Sequence, residues 1–389
     1  MRKSISILGS TGSIGLSTLK IIDNKKNFFK IYLLSANKNY KLICKQIIKY
    51  KPQIFVVTDK ITYIKLKGKF KKSKTEILNN FKKVNSKYKI DISISAIPGI
   101  AGLLPLIQMI KCSKKILIAN KESIICGWNL IKKQASKSNT KIVPVDSEHF
   151  SILKLLENLK LAEIEKIYIT ASGGPFLNYS NNRIKKVKPK DALKHPKWKM
   201  GKKITVDSSN LMNKILEYIE AQKLFNIPED KLDILIHPES LVHAIVKLKN
   251  GLTKLIYHET SMIIPLANAI FDGKLNISKF YTIHNKRKKN IENLTFQKPN
   301  QKVFPLIKLK NKVNEYPSSS IIINASNEIF VDQFLNKKIP FLAIYKIIKT
   351  ILNDINYKKY AIRKPNNISE INIIDNWARK LTLDKIYKL

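Results

Sequence analysis

Short apolar, β-branched runs alternate with amphipathic stretches over roughly the first 145 residues. Runs at 4–9, 30–35, 54–58, 90–95, 115–119 and 141–144 have the length and bounding turn residues of buried strands. Segments 14–23, 42–50 and 103–111 carry apolar residues at helical spacing. This βαβα rhythm predicts a parallel sheet covered by helices on both faces. From about 146 to 285 the pattern is mixed. A polar stretch opens at Gly173-Gly174-Pro175 and holds Pro189, Pro196 and Gly201; a helix over 211–225 and strand-like runs at 232–236, 241–248 and 252–257 follow. Residues 286–312 start with Lys286-Arg287-Lys288-Lys289, include Pro299 and Pro305, and are expected to wrap the surface as a connector. The last stretch, 313–389, reads as helices separated by Pro340 and Pro365. No internal repeat is present.

A chain of 389 residues, 44% apolar and 26% charged, has the make-up of several globular domains rather than a disordered polymer. No apolar run is long enough to span a bilayer, and alternation beginning at Ser4 predicts a strand where a secretory leader would lie. Cys44, Cys112 and Cys126 are far apart, with neither metal-ligand spacing nor a disulfide framework, so a reducing cytoplasm is expected. The net charge of +44 suggests nucleic acid at first sight. Only five of the 72 basic residues are arginine, however, and the lysines are scattered among Ile and Asn. A phosphate-backbone reader clusters its charge and leans on arginine. The reading is therefore a solvated basic surface that attracts a small anionic substrate, with no nucleic-acid or membrane partner.

Four segments carry candidate chemistry, and a fifth a hinge. Gly9-Ser10-Thr11-Gly12-Ser13-Ile14-Gly15 stands between the first strand and first helix, where small residues let a pyrophosphate approach backbone N–H groups. The second strand ends in Ser35-Ala36-Asn37-Lys38-Asn39, with a lysine where an NAD site offers an acid, which favours the 2′-phosphate of NADP. In Val145-Asp146-Ser147-Glu148-His149, an extended chain puts Asp146 and Glu148 on one side, suited to a hard divalent cation; a helix start with two capping acids is an equal alternative. Asp207 to Glu217 places Asn213 and Glu217 four apart on a helix face. That face suits a metal and a phosphorylated polyol, while taken alone the segment reads first as an amphipathic helix with an Asp or Ser cap and a solvated polar face. Ser172-Gly173-Gly174 and His195 to Gly201 have the make-up of a hinged lid, with His195 and Trp198 closing on substrate, although a lone His or Trp is more often structural. His237, His243 and His258 have no ligand-like spacing and read as structural.

Together with Ala119-Asn120-Lys121-Glu122-Ser123 and Ile236-His237-Pro238-Glu239-Ser240, these motifs resemble the 1-deoxy-D-xylulose 5-phosphate reductoisomerase family over essentially the whole chain. The resemblance implies an α/β protein with a Rossmann-like NADPH-binding domain (1–145) and a central α/β catalytic, metal-binding and dimerisation domain with a flexible lid (146–285). The connector (286–312) and a C-terminal helical bundle (313–389) complete it. Carried over residue by residue, it implies cofactor contacts from Thr11, Gly12, Ser13, Ile14, Lys38, Asn39, Asn120, Glu122 and Gly201. It implies Mg²⁺ or Mn²⁺ on Asp146, Glu148 and Glu217. Substrate contacts fall to Lys121, Ser147, Glu148, Ser172, His195, Ser208, Asn213, Lys214 and Glu217, with Glu148, Lys121 and His195 catalytic; Trp198 and Met200 belong to the lid. The implied reaction rearranges the phosphosugar and reduces the product with NADPH, in a homodimer. Departures are Asn37, Ala171, Ile215 and Ser261-Met262-Ile263, none of which removes a metal ligand.

Overall fold

The structure, a computed structural model, describes residues 2–84, 89–198, 200–277 and 293–388. The basic run at 286–289 lies outside the described residues. Two compact units, interleaved in sequence, make up the chain: Met1–Ser123, Asn129–Phe150 and Ser261–Asn290 form one, and Ile124–Trp128, Ser151–Thr260 and Ile291–Leu389 the other.

In the first unit, strands β1 (Lys3–Leu8), β2 (Phe29–Ala36), β3 (Ile54–Val57), β4 (Glu76–Leu78), β5 (Ile90–Ser95), β6 (Ser113–Ile118) and β7 (Lys141–Pro144) form a seven-stranded sheet in the order β4-β3-β2-β1-β5-β6-β7. Every pair is parallel. β3 is buried along its whole length, as a strand covered on both faces must be. Helices α1 (Ser13–Asn24), α2 (Tyr40–Tyr50), α3 (Lys60–Lys69), α4 (Leu103–Cys112), α5 (Lys121–Ser138) and α6 (Ser147–Leu155) follow strands in turn. The chain moves outward from β1 to β4, then returns to β5 on the other side of β1. That reversal opens a crevice beyond the carboxyl ends of β1 and β5, where such sheets bind ligands.

In the second unit, β8 (Ile164–Ala171), β9 (Leu232–Ile236), β10 (Val242–Leu248) and β11 (Thr253–Tyr257) form a mixed sheet in the order β11-β10-β8-β9. Two single-turn helices, α7 (Asn181–Ile184) and α8 (Pro189–Ala192), interrupt the polar stretch before α9 (Lys202–Ser209) and α10 (Met212–Phe225). After α11 (Ile263–Phe271), which returns to the first unit with Phe271 edge-on to Phe29 at 5.5 Å, the chain ends in α12 (Ser319–Leu335), α13 (Ala343–Leu352), α14 (Tyr357–Ala361) and α15 (Ile368–Tyr387). α12 is apolar around most of its circumference and packs against α15 and α9, the habit of a central bundle helix. The described part of 286–312 is less superficial than expected of a connector. Pro305–Asn311 is a run of 3₁₀ turns whose Leu306, Ile307 and Leu309 are buried, and it packs against α10.

Candidate active site

The glycine turn is shaped by close backbone approach. Gly9 has φ +83°, and a Cβ there would stand 2.6 Å from the Ala96 carbonyl in the loop after β5. A Cβ on Gly15 would lie 2.4 Å from the Gly9 carbonyl, so α1 can start this close only with glycine. Gly12 is the N-cap of α1 and provides no side-chain cap, which leaves first-turn N–H groups to an outside acceptor. A turn packed this closely on its own backbone, with the start of a helix left uncapped, fits a dinucleotide pyrophosphate. Thr11 to Ile14 form its tip. Lys38 and Asn39 are exposed at the end of β2, and Asn39 Oδ1 also caps α2 by accepting the Leu42 N–H at 3.2 Å.

Asn120 and Glu122 are buried at the start of α5. Asn120 Oδ1 caps that helix by accepting the Ser123 N–H at 2.7 Å, and its amide donates to the Gly99 carbonyl at 3.0 Å. It braces the loop after β5, a role its sequence context does not announce. Lys121 Nζ stands 2.9 Å from Asp146 Oδ2, with both side chains largely buried. Burial pushes the Asp146 carboxyl up, but the Lys121 charge, with help from His149 and a Glu148 hydrogen bond, outweighs it and holds the carboxyl well below its ordinary range. Asp146 Oδ1 is buried with no hydrogen-bond partner among the described residues, and His149 Nδ1 stands 3.7 Å from it. The extended alternative for 146–148 is not what forms. Asp146 precedes α6, Ser147 begins it, and Glu148 lies in its first turn with Oε2 accepting the Ser147 hydroxyl at 2.6 Å. A chain leaving β7 through Asp146 with two acids and a serine in hand is well supplied to start a helix.

In the second unit His195 is the centre of a small polar cluster. Its Nε2 lies 3.1 Å from Ser172 Oγ and 3.0 Å from Ser208 Oγ. Its Nδ1 accepts the N–H groups of Lys197 (3.1 Å) and Trp198 (2.9 Å), which fixes the neutral ring as the Nε2–H tautomer. Gly173 and Gly174, both at positive φ, let the Gly174 N–H reach Ser172 Oγ at 3.1 Å. Asp207 to Ser209 close α9 rather than cap a helix. Asp207 is fully buried, accepting from Asn327 at 2.9 Å and paired with Lys203 at 2.9 Å, and so ties α9 to α12 beside Ser208. α10 then starts after Leu211 at φ +63°, where Asn210 Oδ1 accepts the Met212 N–H at 2.9 Å. On α10 both Asn213 and Lys214 donate to Glu217, whose carboxylate is 1% exposed. Trp198 lies edge-on to His243 at 6.2 Å, and His243 stacks on His258 at 3.8 Å. Gly201 caps α9 and a Cβ there would meet nothing within 4 Å, so no steric demand requires glycine.

Burial, then the Lys214 charge, lower the His195 pKa from 6.5 to about 4. The folded value lies below the unfolded one, so the stability owed to the neutral ring is complete above pH 6.5 and is lost as pH falls toward 4. The melting temperature of His195→Gln is expected to fall less than that of the parent between those limits. In an NMR titration the His195 ring should show a midpoint near 4, and one near 6.5 would contradict the cluster.

A glycine-cradled turn at the reversal point of a doubly wound sheet, with a separate unit that gathers serines, an imidazole and a buried carboxylate, defines a two-unit enzyme of the dinucleotide-binding α/β class. Within that class, profiles of three domains match in order. They are 1-deoxy-D-xylulose 5-phosphate reductoisomerase over residues 5–127, its C-terminal domain over 142–225, and the DXP reductoisomerase C-terminal domain over 259–381. The chain is similar to the 1-deoxy-D-xylulose 5-phosphate reductoisomerase of Pelagibacter ubique (strain HTCC1062), with 47% identity over 97% of both chains. It is similar to that of Wolbachia sp. subsp. Drosophila simulans (strain wRi) at 39%, over 97% of this chain and 96% of the relative. Among solved structures, DOX-P reductoisomerase in complex with NADPH, fosmidomycin and magnesium superposes with a TM-score of 0.89 at 30% identity, covering 99% of this chain and 98% of the other. The enzyme from Zymomonas mobilis in complex with NADPH gives 0.87 at 30%, covering 100% of both. The chain belongs to the 1-deoxy-D-xylulose 5-phosphate reductoisomerase family.

Proposed function

We propose that this protein is an NADPH- and divalent-metal-dependent reductoisomerase that converts 1-deoxy-D-xylulose 5-phosphate to 2-C-methyl-D-erythritol 4-phosphate, a committed step toward isoprenoid precursors by the non-mevalonate route. The observation that carries this reading is the full-length family match at 47% identity, with every residue assigned from the family pattern present. Residues 1–145 hold NADPH through Thr11 to Ile14, with Lys38 and Asn39 at the 2′-phosphate and Asn120, Glu122 and Gly201 nearby. Residues 146–285 hold the metal and substrate, and 313–389 support them as a helical bundle.

Asp146, Glu148 and Glu217 are the acids we assign to Mg²⁺ or Mn²⁺; an all-carboxylate set and the buried Asp146 oxygen without a hydrogen-bond partner fit a hard cation. When bound, the cation polarises the substrate's ketone and hydroxyl oxygens, and NADPH supplies the hydride. Ser172, Ser208 and the neutral His195 offer donors to the substrate phosphate, with Asn213 and Lys214 at its flank. Lys121 and Ser147 orient the polyol, and Glu148 takes or returns a hydroxyl proton at its carboxylate. Trp198 and Met200 close over the reactants to exclude water. NADPH absorbance is followed with 1-deoxy-D-xylulose 5-phosphate and Mg²⁺ or Mn²⁺, then with EDTA. Metal-dependent consumption is the expected result, and no turnover by folded protein with either metal overturns the reading.

The protein is also proposed to act as a homodimer. β11 is the outer strand of its sheet, and Leu252, Leu255 and Tyr257 are 61%, 41% and 41% exposed on or beside it. An apolar strand edge left open invites a second copy. Sedimentation is expected to give a dimer for the parent and a monomer for Leu255→Lys; a monomeric parent contradicts the assignment. No described helix is long and apolar enough to cross a membrane. The free thiols of Cys44, Cys112 and Cys126 support a cytoplasmic setting, which cell fractionation tests.

A further inference from the structure

α2 turns Ile43, Cys44 and Ile47 inward, and in the same buried stripe stands a primary amide, Gln46, 2% exposed. An amide so placed is destabilising unless its donor and acceptor are both bonded. Gln46 directs both to a single residue. Its Oε1 accepts the Ser10 hydroxyl at 2.6 Å, and its Nε2 donates to the Ser10 carbonyl at 2.9 Å. Ser10 is the second residue of the glycine turn and is fully buried. From the other side Ser35, also fully buried at the end of β2, accepts the Gly9 N–H on its hydroxyl at 3.0 Å and the Ser10 N–H on its carbonyl at 2.8 Å. The root of the turn is therefore gripped by a helix and a strand. Its tip, from Thr11 to Ser13, has no side-chain cap.

We infer that Gln46 and Ser35 are positioning residues for NADPH, clamping Gly9 and Ser10 so that the N–H groups at the tip of the turn are aimed before the pyrophosphate arrives. The inference deepens the proposed function and rests on its placement of the pyrophosphate at this turn. Fixing donors in advance removes the cost of ordering them on binding, so the clamp acts on affinity rather than on the chemical step.

The test is NADPH binding to the full-length protein without substrate, read by nucleotide fluorescence. Gln46→Leu is expected to raise the Kd for NADPH about tenfold, two hydrogen bonds being lost. The Kd for NADH should rise by the same factor, because both nucleotides share the pyrophosphate. The kcat at saturating NADPH and the KM for 1-deoxy-D-xylulose 5-phosphate should stay at parent values. Ser35→Ala, which deletes one oxygen, should act in the same direction and decides the matter if Gln46→Leu does not fold. Parent NADPH affinity in the folded variant overturns the inference, as does an equal loss of substrate affinity, which marks general loosening. Ser13→Glu separates the underlying reading by placing a carboxylate at the tip. If it binds NADPH as the parent does, the turn is not the pyrophosphate site and both readings fall. If it loses NADPH while Gln46→Leu and Ser35→Ala keep it, only the clamp falls.

Discussion

Glu217→Gln is expected to lower turnover about 10³-fold, the scale of losing one preorganised electrostatic contact to the reacting centre. Its NADPH affinity should be unchanged. Glu217 lies in α10 among Ile215, Leu216, Tyr218 and Ile219, all buried, and is itself 1% exposed. A carboxylate at that depth is stable only with compensation, which Asn213 and Lys214 provide by donating to it. Glutamine keeps the shape but removes the negative charge that a divalent cation needs, and it leaves Lys214 without that counter-charge. Turnover is measured over a Mg²⁺ titration, with circular dichroism and a melting curve to show that the variant is folded. A variant with parent activity and parent Mg²⁺ dependence would remove Glu217 from the metal set. Loss of NADPH binding together with turnover would point to a structural role instead.

The parallel sheet was the most legible part of the chain. β3, buried along its whole length, reads as the unbroken run Ile54 to Val57, and β5 and β7 end where their apolar runs meet turn residues. β8 escapes that logic although it is central to its sheet. Glu165 and Lys166 break its run, since one face is open enough to carry a Glu165–Lys247 ion pair between neighbouring strands. The site motifs were legible as residue types, but their geometry was not. Asp146 to Glu148 allowed a strand end or a helix start, and only the Val145 N–H bonded to the Ile118 carbonyl, with α6 opening at Ser147, decides between them. Gln46, and the packing roles of Asp207 and Asn120, were illegible for a further reason. Each acts through a partner far away in sequence (Ser10, Asn327 and the loop after β5), and helical or turn periodicity carries no record of such pairs. The scattered lysines mislead in the opposite direction, as abundant charge that composition reports and few buried contacts use.

Lys121→Met is expected to destabilise the metal-free protein by about 3–5 kcal/mol, the usual cost of leaving one member of a buried ion pair alone. Lys121 Nζ is 2.9 Å from Asp146 Oδ2, with side-chain exposures of 7% and 16%. The Lys121 charge is also the largest influence holding the Asp146 carboxyl down against burial. A depressed carboxyl contributes stability above its unfolded value of 3.8 and loses it as pH falls toward the folded value. Without Lys121 the folded carboxyl rises toward its unfolded value, so the variant should lose less further stability than the parent as pH falls below 3.8. Added Mg²⁺ should then stabilise Lys121→Met more than the parent. The cation meets a carboxylate without its ammonium partner in the variant, whereas in the parent it competes with that ammonium for the same group. Denaturant unfolding at about pH 7 and about pH 3, each with Mg²⁺ and with EDTA, reads both effects without relying on turnover. Equal stabilisation of both proteins by Mg²⁺ would mean that Asp146 does not bind the cation, and that its pairing with Lys121 serves the fold alone.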